Sequence, residues 1–285
     1  MKVRGLIENL YKSEKIEKTI YAIGEVHPEV AFNHYKHYLE NYFRIVKDAP
    51  EKNFLNDFDF IFSQSLSYLA REVKYGVDPN ETLNSINSFV KNIQKKCESN
   101  FIRFLLDKVL NDYNNVLKKE LDTIINLGPR LLFLEGRENI LSNMIKAETA
   151  KKSGTERIVY LDEGLERKIS DFIGFQKNRE NFWAYKISEN FLDENDIGLI
   201  IVGMGHLDPN LASKFNIKWN MNFLDALCED LVTRKIESKF LEHINSVRFS
   251  LANSYGKVST EKRIGKLKDL LRKRGIEVEV LGMFY

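Results

Sequence analysis

Cysteine is scarce in this chain. Only Cys97 and Cys228 occur, far apart and outside any Cys-x-x-Cys pattern. That argues against a disulfide framework or a structural zinc cluster and fits a reducing compartment. An excess of one charge is also missing: 43 basic residues face 41 acidic ones, for a formal charge of +2. So near a balance gives no basis for a nucleic-acid partner or an anionic membrane surface. No stretch reaches about 18 uninterrupted apolar residues, so no transmembrane helix is expected. The opening MKVRGLIENLYKSEKIEK turns charged before an apolar core can form, so it does not read as a signal peptide. These absences together predict a cytoplasmic protein. A Gly-x-Ser-x-Gly elbow, a Walker loop and His-Glu-x-x-His are all missing. Gly203-Met-Gly205 does not extend into a dinucleotide fingerprint, because position 208 is Asp. Serine or cysteine nucleophiles therefore have no support in the sequence. Internal repeats of solenoid period and low-complexity segments are lacking too.

What is present is a core-forming chain, 43% apolar and 29% charged over 285 residues, within range for one α/β domain carrying an insertion. Apolar, β-rich runs at Thr19–Gly24, Leu131–Leu134, Arg157–Leu161 and Ile197–Val202 read as strands. Helical spacing follows each. Pro28 suits the first turn of a helix running to about Val46. Residues 47–127 hold almost no glycine and no strong strand. Leu55, Phe58, Ile61, Phe62, Leu66 and Leu69 recur there at helical spacing, and Asn80 is a candidate N-cap. A short strand is expected at Ile217–Met221, a helix over Asn222–Val247, a polar loop over Ser250–Ser259 and a terminal helix, turn and strand. The alternation predicts a mostly parallel central sheet flanked by helices, one α/β domain over 1–285 with an all-helical insertion at 47–127. The insertion is a candidate lid or homodimer surface.

In parallel sheets ligands bind beyond the carboxyl ends of the strands. Here four expected strands end in reactive residues: Glu25 and His27, Glu135, Asp162 and Glu163, then His206 and Asp208. Two of these ends are Gly-x-x-His: Gly24-Glu-Val-His27 and Gly203-Met-Gly-His206. From 15 glycines and 5 histidines, chance predicts about 0.26 such matches. By their chemistry His27 and His206, with Glu135, are candidate metal ligands for Mn, Co or Zn, in a site that activates water. Without metal, a histidine oriented by a carboxylate activates water itself. Glu25 is the next candidate, and Asp162 and Asp208 are candidates for fixing imidazole tautomers. His34 and His37, three apart on a helix, read as surface or partly buried residues rather than a metal pair.

The ordered set IYAIGEVH (20–27), LLFLEGREN (131–139), NRENFWAYKI (178–187) and LIIVGMGHLDPN (199–210) resembles the TraB/PrgY/Tiki proteins and their distant erythromycin-esterase-like and ChaN-like relatives. VYLDEG (159–164) is similar to the family's strand ending in Asp, although Glu163 stands where an Arg often follows. The resemblance covers about half the chain and leaves out 47–127 and most of the last 60 residues. It implies a hydrolase cleaving a peptide, ester or amide bond, metal-dependent in some branches, with a small-molecule or peptide substrate. The alternative it implies is haem or small-ligand binding in the same cleft. It raises Arg179 above the other arginines, as a residue for a substrate carboxylate or a developing oxyanion. Glu25, Glu135 and Arg179 are then the candidate catalytic residues, and Asn181, Asp162 and Asp208 candidate substrate contacts. Glu180 is expected to point elsewhere on its helix.

Overall fold

The computed structural model describes residues 18–165, 172–191, 196–236, 238–258 and 265–285. The chain opens with β1 (Lys18–Glu25) and α1 (Pro28–Ile45), where Pro28 takes the first helical position and His27 the cap. A 3-10 turn (Pro50–Phe54) leads to α2 (Leu55–Asp59), a π-helical turn (Phe60–Gln64), α3 (Ser65–Lys74), α4 (Pro79–Lys96) and α5 (Asn100–Asn111). A second π-helical turn (Asp112–Leu117) joins α6 (Lys118–Leu127). Then follow β2 (Leu131–Leu134), α7 (Leu141–Lys152), β3 (Arg157–Tyr160), α8 (Phe172–Asn190) and β4 (Gly198–Gly203). The chain continues through α9 (Met204–Leu207), α10 (Pro209–Thr233), α11 (Ser238–Val258), α12 (Lys266–Arg272) and β5 (Ile276–Phe284).

The strands form one sheet in the order β3-β2-β4-β1-β5, and every pairing is parallel. The fold is thus α/β with a helical stretch after the first strand, as expected. Period-two alternation explains why these apolar runs become central strands. Ile20, Ala22, Leu131, Phe133, Ile200 and Val202 face one way, onto Trp183, Ala184 and Ile187 of α8 and Leu267 and Leu271 of α12. Ile23, Leu132, Leu134, Leu199 and Ile201 face the other way, onto Ile124 of α6 and Ala147 and Ala150 of α7. A larger all-helical core unites α1, the helices of 50–127, and Leu227, Leu231 and Ile244 from α10 and α11. The insertion therefore shares its core with the helix that follows His27.

Three local expectations change. Asp78, not Asn80, caps α4: its carboxylate accepts the Asn80 N–H, and Pro79 takes the first turn. Ile217–Met221 is helix, inside α10. Its β-like residues are overruled by amphipathic packing, since Trp219 and Phe223 join the helical core. The polar stretch from Ser250 is helical as far as Val258, and Ser259 lies outside the described residues, as do 166–171 of the helix expected before Leu192.

The end of the chain folds back onto the second histidine motif through a close contact. A side chain at Gly265, just before α12, would meet the backbone of Leu207, with the carbonyl carbon at 2.5 Å. Backbone cannot yield as a flexible side chain does. Gly265→Ala is expected to cost about 1–3 kcal/mol of stability, measured by urea denaturation, and to loosen α12 from α9.

Candidate functional site

Alternation along the strands decides which helices each strand-end carboxylate meets. Glu25 continues the β1 residues that face α6 and α7. Its buried carboxylate pairs there with Lys146 Nζ of α7 at 2.6 Å. The same ammonium lies 2.9 Å from Glu120 of α6. Glu135 continues the β2 residues that face α8, so its carboxylate meets Arg179 Nη2 at 2.9 Å. The β2 and β4 strands adjoin, so Glu135 Oε2 also accepts the Gly203 N–H, at 2.5 Å. Asn143 holds the Glu135 carbonyl at 2.7 Å, fixing the strand end.

Both motif histidines converge on this carboxylate. His27 Nε2 lies 3.4 Å from Glu135 Oε2 and His206 Nε2 lies 3.6 Å from Oε1. Each ring is oriented through its other nitrogen. His27 Nδ1 donates to Glu25 Oε1 at 2.8 Å, and His206 Nδ1 donates to Glu180 Oε1 at 2.7 Å. Carboxylates accept only, so the Nδ1 atoms carry protons and the Nε2 atoms are the reactive positions. Gly203 keeps the space between the rings open. A Cβ there would lie 3.3 Å from Glu135 Oε2 and 3.6 Å from both imidazoles. Beyond them is a cleft of about 420 Å³ lined by His27, Glu135, Glu180, Gly203, Gly205, His206 and Lys266.

Arg179 is held from three sides. Asp162 takes its Nε and Nη2 at 2.9 and 2.6 Å, and its Cζ lies 4.3 Å from the centroid of the Trp183 ring. Trp183 donates its indole N–H to the same Asp162 oxygen that Arg179 Nε uses, at 2.8 Å. The indole meets the His206 ring edge-on, with centroids 4.8 Å apart. Arg179 and Trp183 are four apart, on one face of α8. The guanidinium does not line the cleft. It pairs with Glu135 from behind the cleft.

The charges follow from burial and its compensation. Burial alone would raise Glu25, but the Lys146 ammonium and His27 hold it far below the ordinary carboxylate range. Burial likewise opposes ionisation of Glu135, and hydrogen bonds from His206 and His27 override it, so that its pKa is also lowered. Glu120 goes the other way: burial and repulsion from Glu25 push it well above the usual value. Burial would lower both histidines. The carboxylates on either side more than reverse this, raising His27 well above the usual value and His206 to about 9. Both rings are therefore biased toward the imidazolium form beside one carboxylate.

The expected site residues divide. His27, Glu135 and His206 line the cleft together. Glu25, Asp162 and Arg179 stand behind them as positioning groups. Asp208 is not in the site: it caps α10 by accepting the Leu211 N–H at 2.9 Å. Asn181 is exposed on α8 and does not line the cleft. Glu180 reverses its expectation. Consecutive helical residues point about 100° apart, and here Arg179 reaches Glu135 while Glu180 reaches His206. Lys146, Glu120 and Lys266, which lies 3.4 Å from Glu180, were not foreseen. Trp183 had a readable signal in its spacing from Arg179. Lys146 had a weaker one, as a lysine set between Ile145 and Ala147 on a helix with little polar division.

No family model matches the chain, and no curated protein and no solved structure matches it.

Among the described residues no three His, Cys, Asp or Glu side chains are grouped to hold a metal ion. Glu135, the shared carboxylate, already takes the Gly203 N–H on one oxygen and a guanidinium on the other. Among the described residues, the cleft lining contains no large apolar side chain of the kind that packs on a haem face.

Two outcomes are expected. Lys146→Met removes the ammonium between two buried glutamates and is expected to cost about 3–5 kcal/mol, read from chemical denaturation. The second concerns pH. The folded pKa of His206 is raised above its unfolded value, so its contribution is complete below about pH 6.5. It is lost as pH rises through about 9. Thermal unfolding midpoints are expected to fall across that window, and His206→Gln to flatten the decline.

Proposed function

We propose that the chain is a hydrolase of the TraB/Tiki kind, cleaving an ester, amide or peptide bond by proton transfer between two histidines. The observation that carries this reading is the convergence of His27 and His206 on the two oxygens of Glu135, each ring fixed through Nδ1 by its own carboxylate. A ring so held has one tautomer available and offers only Nε2 to a substrate. Two such rings face one cleft at the carboxyl edge of a parallel sheet, where ligands of this architecture bind.

The roles follow from exposure and charge. The His27 side chain is 29% exposed and that of His206 19%, so His27 is the better placed to meet water. In the active form the His27 ring is neutral and takes a proton from water at Nε2, while the Glu25 carboxylate, itself kept ionised by Lys146, holds the imidazolium that results. His206 stays protonated and gives its Nε2 proton to the leaving group. Glu135 keeps both rings in place and separates their charges, and Arg179 keeps Glu135 ionised. The substrate is a small molecule or a peptide.

One histidine must be neutral and the other charged. The coupled pair titrates with macroscopic values, both above that of a free imidazole. Activity is therefore expected to rise as the pH passes above the free-imidazole range and to fall again as His206 loses its proton near about 9. The test is a panel of chromogenic esters, aryl amides and short peptides. His27→Ala and His206→Ala are each expected to lower turnover by about 10²- to 10⁴-fold with unchanged circular dichroism. Activity is expected to survive chelation. Turnover unchanged in both variants contradicts the reading, and activity that chelation abolishes and Mn, Co or Zn restores replaces proton transfer with metal chemistry.

A further inference from the structure

The cleft between the two histidine motifs is lined, among the described residues, by five side chains that can carry charge, and their exposure follows their sign. Lys266 is the most open at 41%, then His27 at 29% and His206 at 19%. The carboxylates lie deepest, Glu180 at 12% and Glu135 at 7%. An entering group therefore meets an ammonium and two rings before any carboxylate. Imidazole carries no negative charge in either protonation state, so this order does not depend on how the rings titrate.

The deep carboxylates are also committed. Glu135 takes the Gly203 N–H and the Arg179 guanidinium. Glu180 takes His206 Nδ1 on one oxygen, at 2.7 Å, and faces Lys266 Nζ with the other, at 3.4 Å. A cationic ligand would meet like charge at the mouth and find its counter-charges taken. An uncharged apolar ligand would strip water from the ammonium with nothing in return. A ligand anion meets neither obstacle.

Core contacts bring Lys266 to this position. Gly265 has no side chain to press on the backbone of His206 and Leu207, and Leu267 and Leu271 anchor α12 against the sheet. The pairing with Glu180 is the weaker contact. At 3.4 Å it is longer than the usual hydrogen-bond range, and an ion pair with one member so exposed contributes little. The helix therefore holds Lys266 beside the rings, and a ligand carboxylate joins or replaces the pairing with Glu180. One ammonium suits a ligand of single charge, because a phosphate dianion would bring a second charge toward Glu135 and Glu180.

We propose that the cleft selects a substrate carrying a carboxylate close to the scissile bond, and that Lys266 is the specificity-determining residue that holds it. That a bond beside the carboxylate is cleaved rests on the hydrolase reading; the preference for the anion does not.

Two measurements on the full chain test this. The first is isothermal titration with succinate, its neutral diamide, 1,4-diaminobutane and inorganic phosphate. Saturable succinate binding is expected, weakened about tenfold in Lys266→Gln and largely kept in Lys266→Arg. The second compares kcat/KM for an aryl monoester of succinate with that for the same aryl ester of butyrate. A preference of about tenfold for the acidic ester is expected, falling toward one in Lys266→Gln and recovered in Lys266→Arg. A merely structural role through Glu180 and His206 would lower both esters together and leave their ratio unchanged. Succinate bound in a Lys266-dependent way by a chain that cleaves neither ester would sink the hydrolase reading and leave the anion preference standing. No saturable succinate binding up to about 50 mM, equal affinity in Lys266→Gln, saturation by the diamine or diamide, tighter binding of phosphate, or an ester ratio that Lys266→Gln does not change overturns the proposal.

Discussion

A carboxylate buried at the end of a parallel strand must be compensated, and Glu135 is the point at which this structure does so. It gathers a backbone N–H, a guanidinium and two imidazoles onto two oxygens. Each of those donors is committed in turn: Arg179 to Asp162, His27 to Glu25, His206 to Glu180. The constraint thus spreads outward from one side chain to four strand ends and to α7 and α8. Removing a partner leaves buried charge behind, which is why such networks are costly to break even where their net stabilisation is small.

Much of this was legible in the sequence, for a physical reason. Strands buried on both faces read as continuous apolar runs, and in a parallel sheet their polar ends fall on one rim. His27, Glu135, Asp162 and His206 follow from that rule alone, and Arg179 from the resemblance. What could not be read was contact across elements. Lys146 is one lysine among many until α7 is laid on the face of the sheet that Glu25 also uses. Glu180 was set aside because neighbouring helical residues diverge, but a helix lying over two strand ends can serve both. Asp208 was taken for a histidine partner, whereas its place before Pro209 made it a helix cap. Ile217–Met221 was taken for a strand because its residues favour one, and only the aromatic cluster shows why it is helix.

The helical insertion gains a physical meaning from the cores. Its residues pack with α1 and α10, the helices that leave the two histidine motifs. Movement within it would therefore be felt at the cap of α1, which is His27 itself.

The central claim is that two imidazoles share one carboxylate. Nitrogen-detected magnetic resonance of the five histidines tests it most directly, by following ring protonation and tautomer against pH. Two histidines are predicted to titrate above the free-imidazole range with Nδ1 protonated throughout, and both to fall together in Glu135→Gln. Five histidines titrating near 6.5, or only one responding to the Glu135 substitution, would contradict the account.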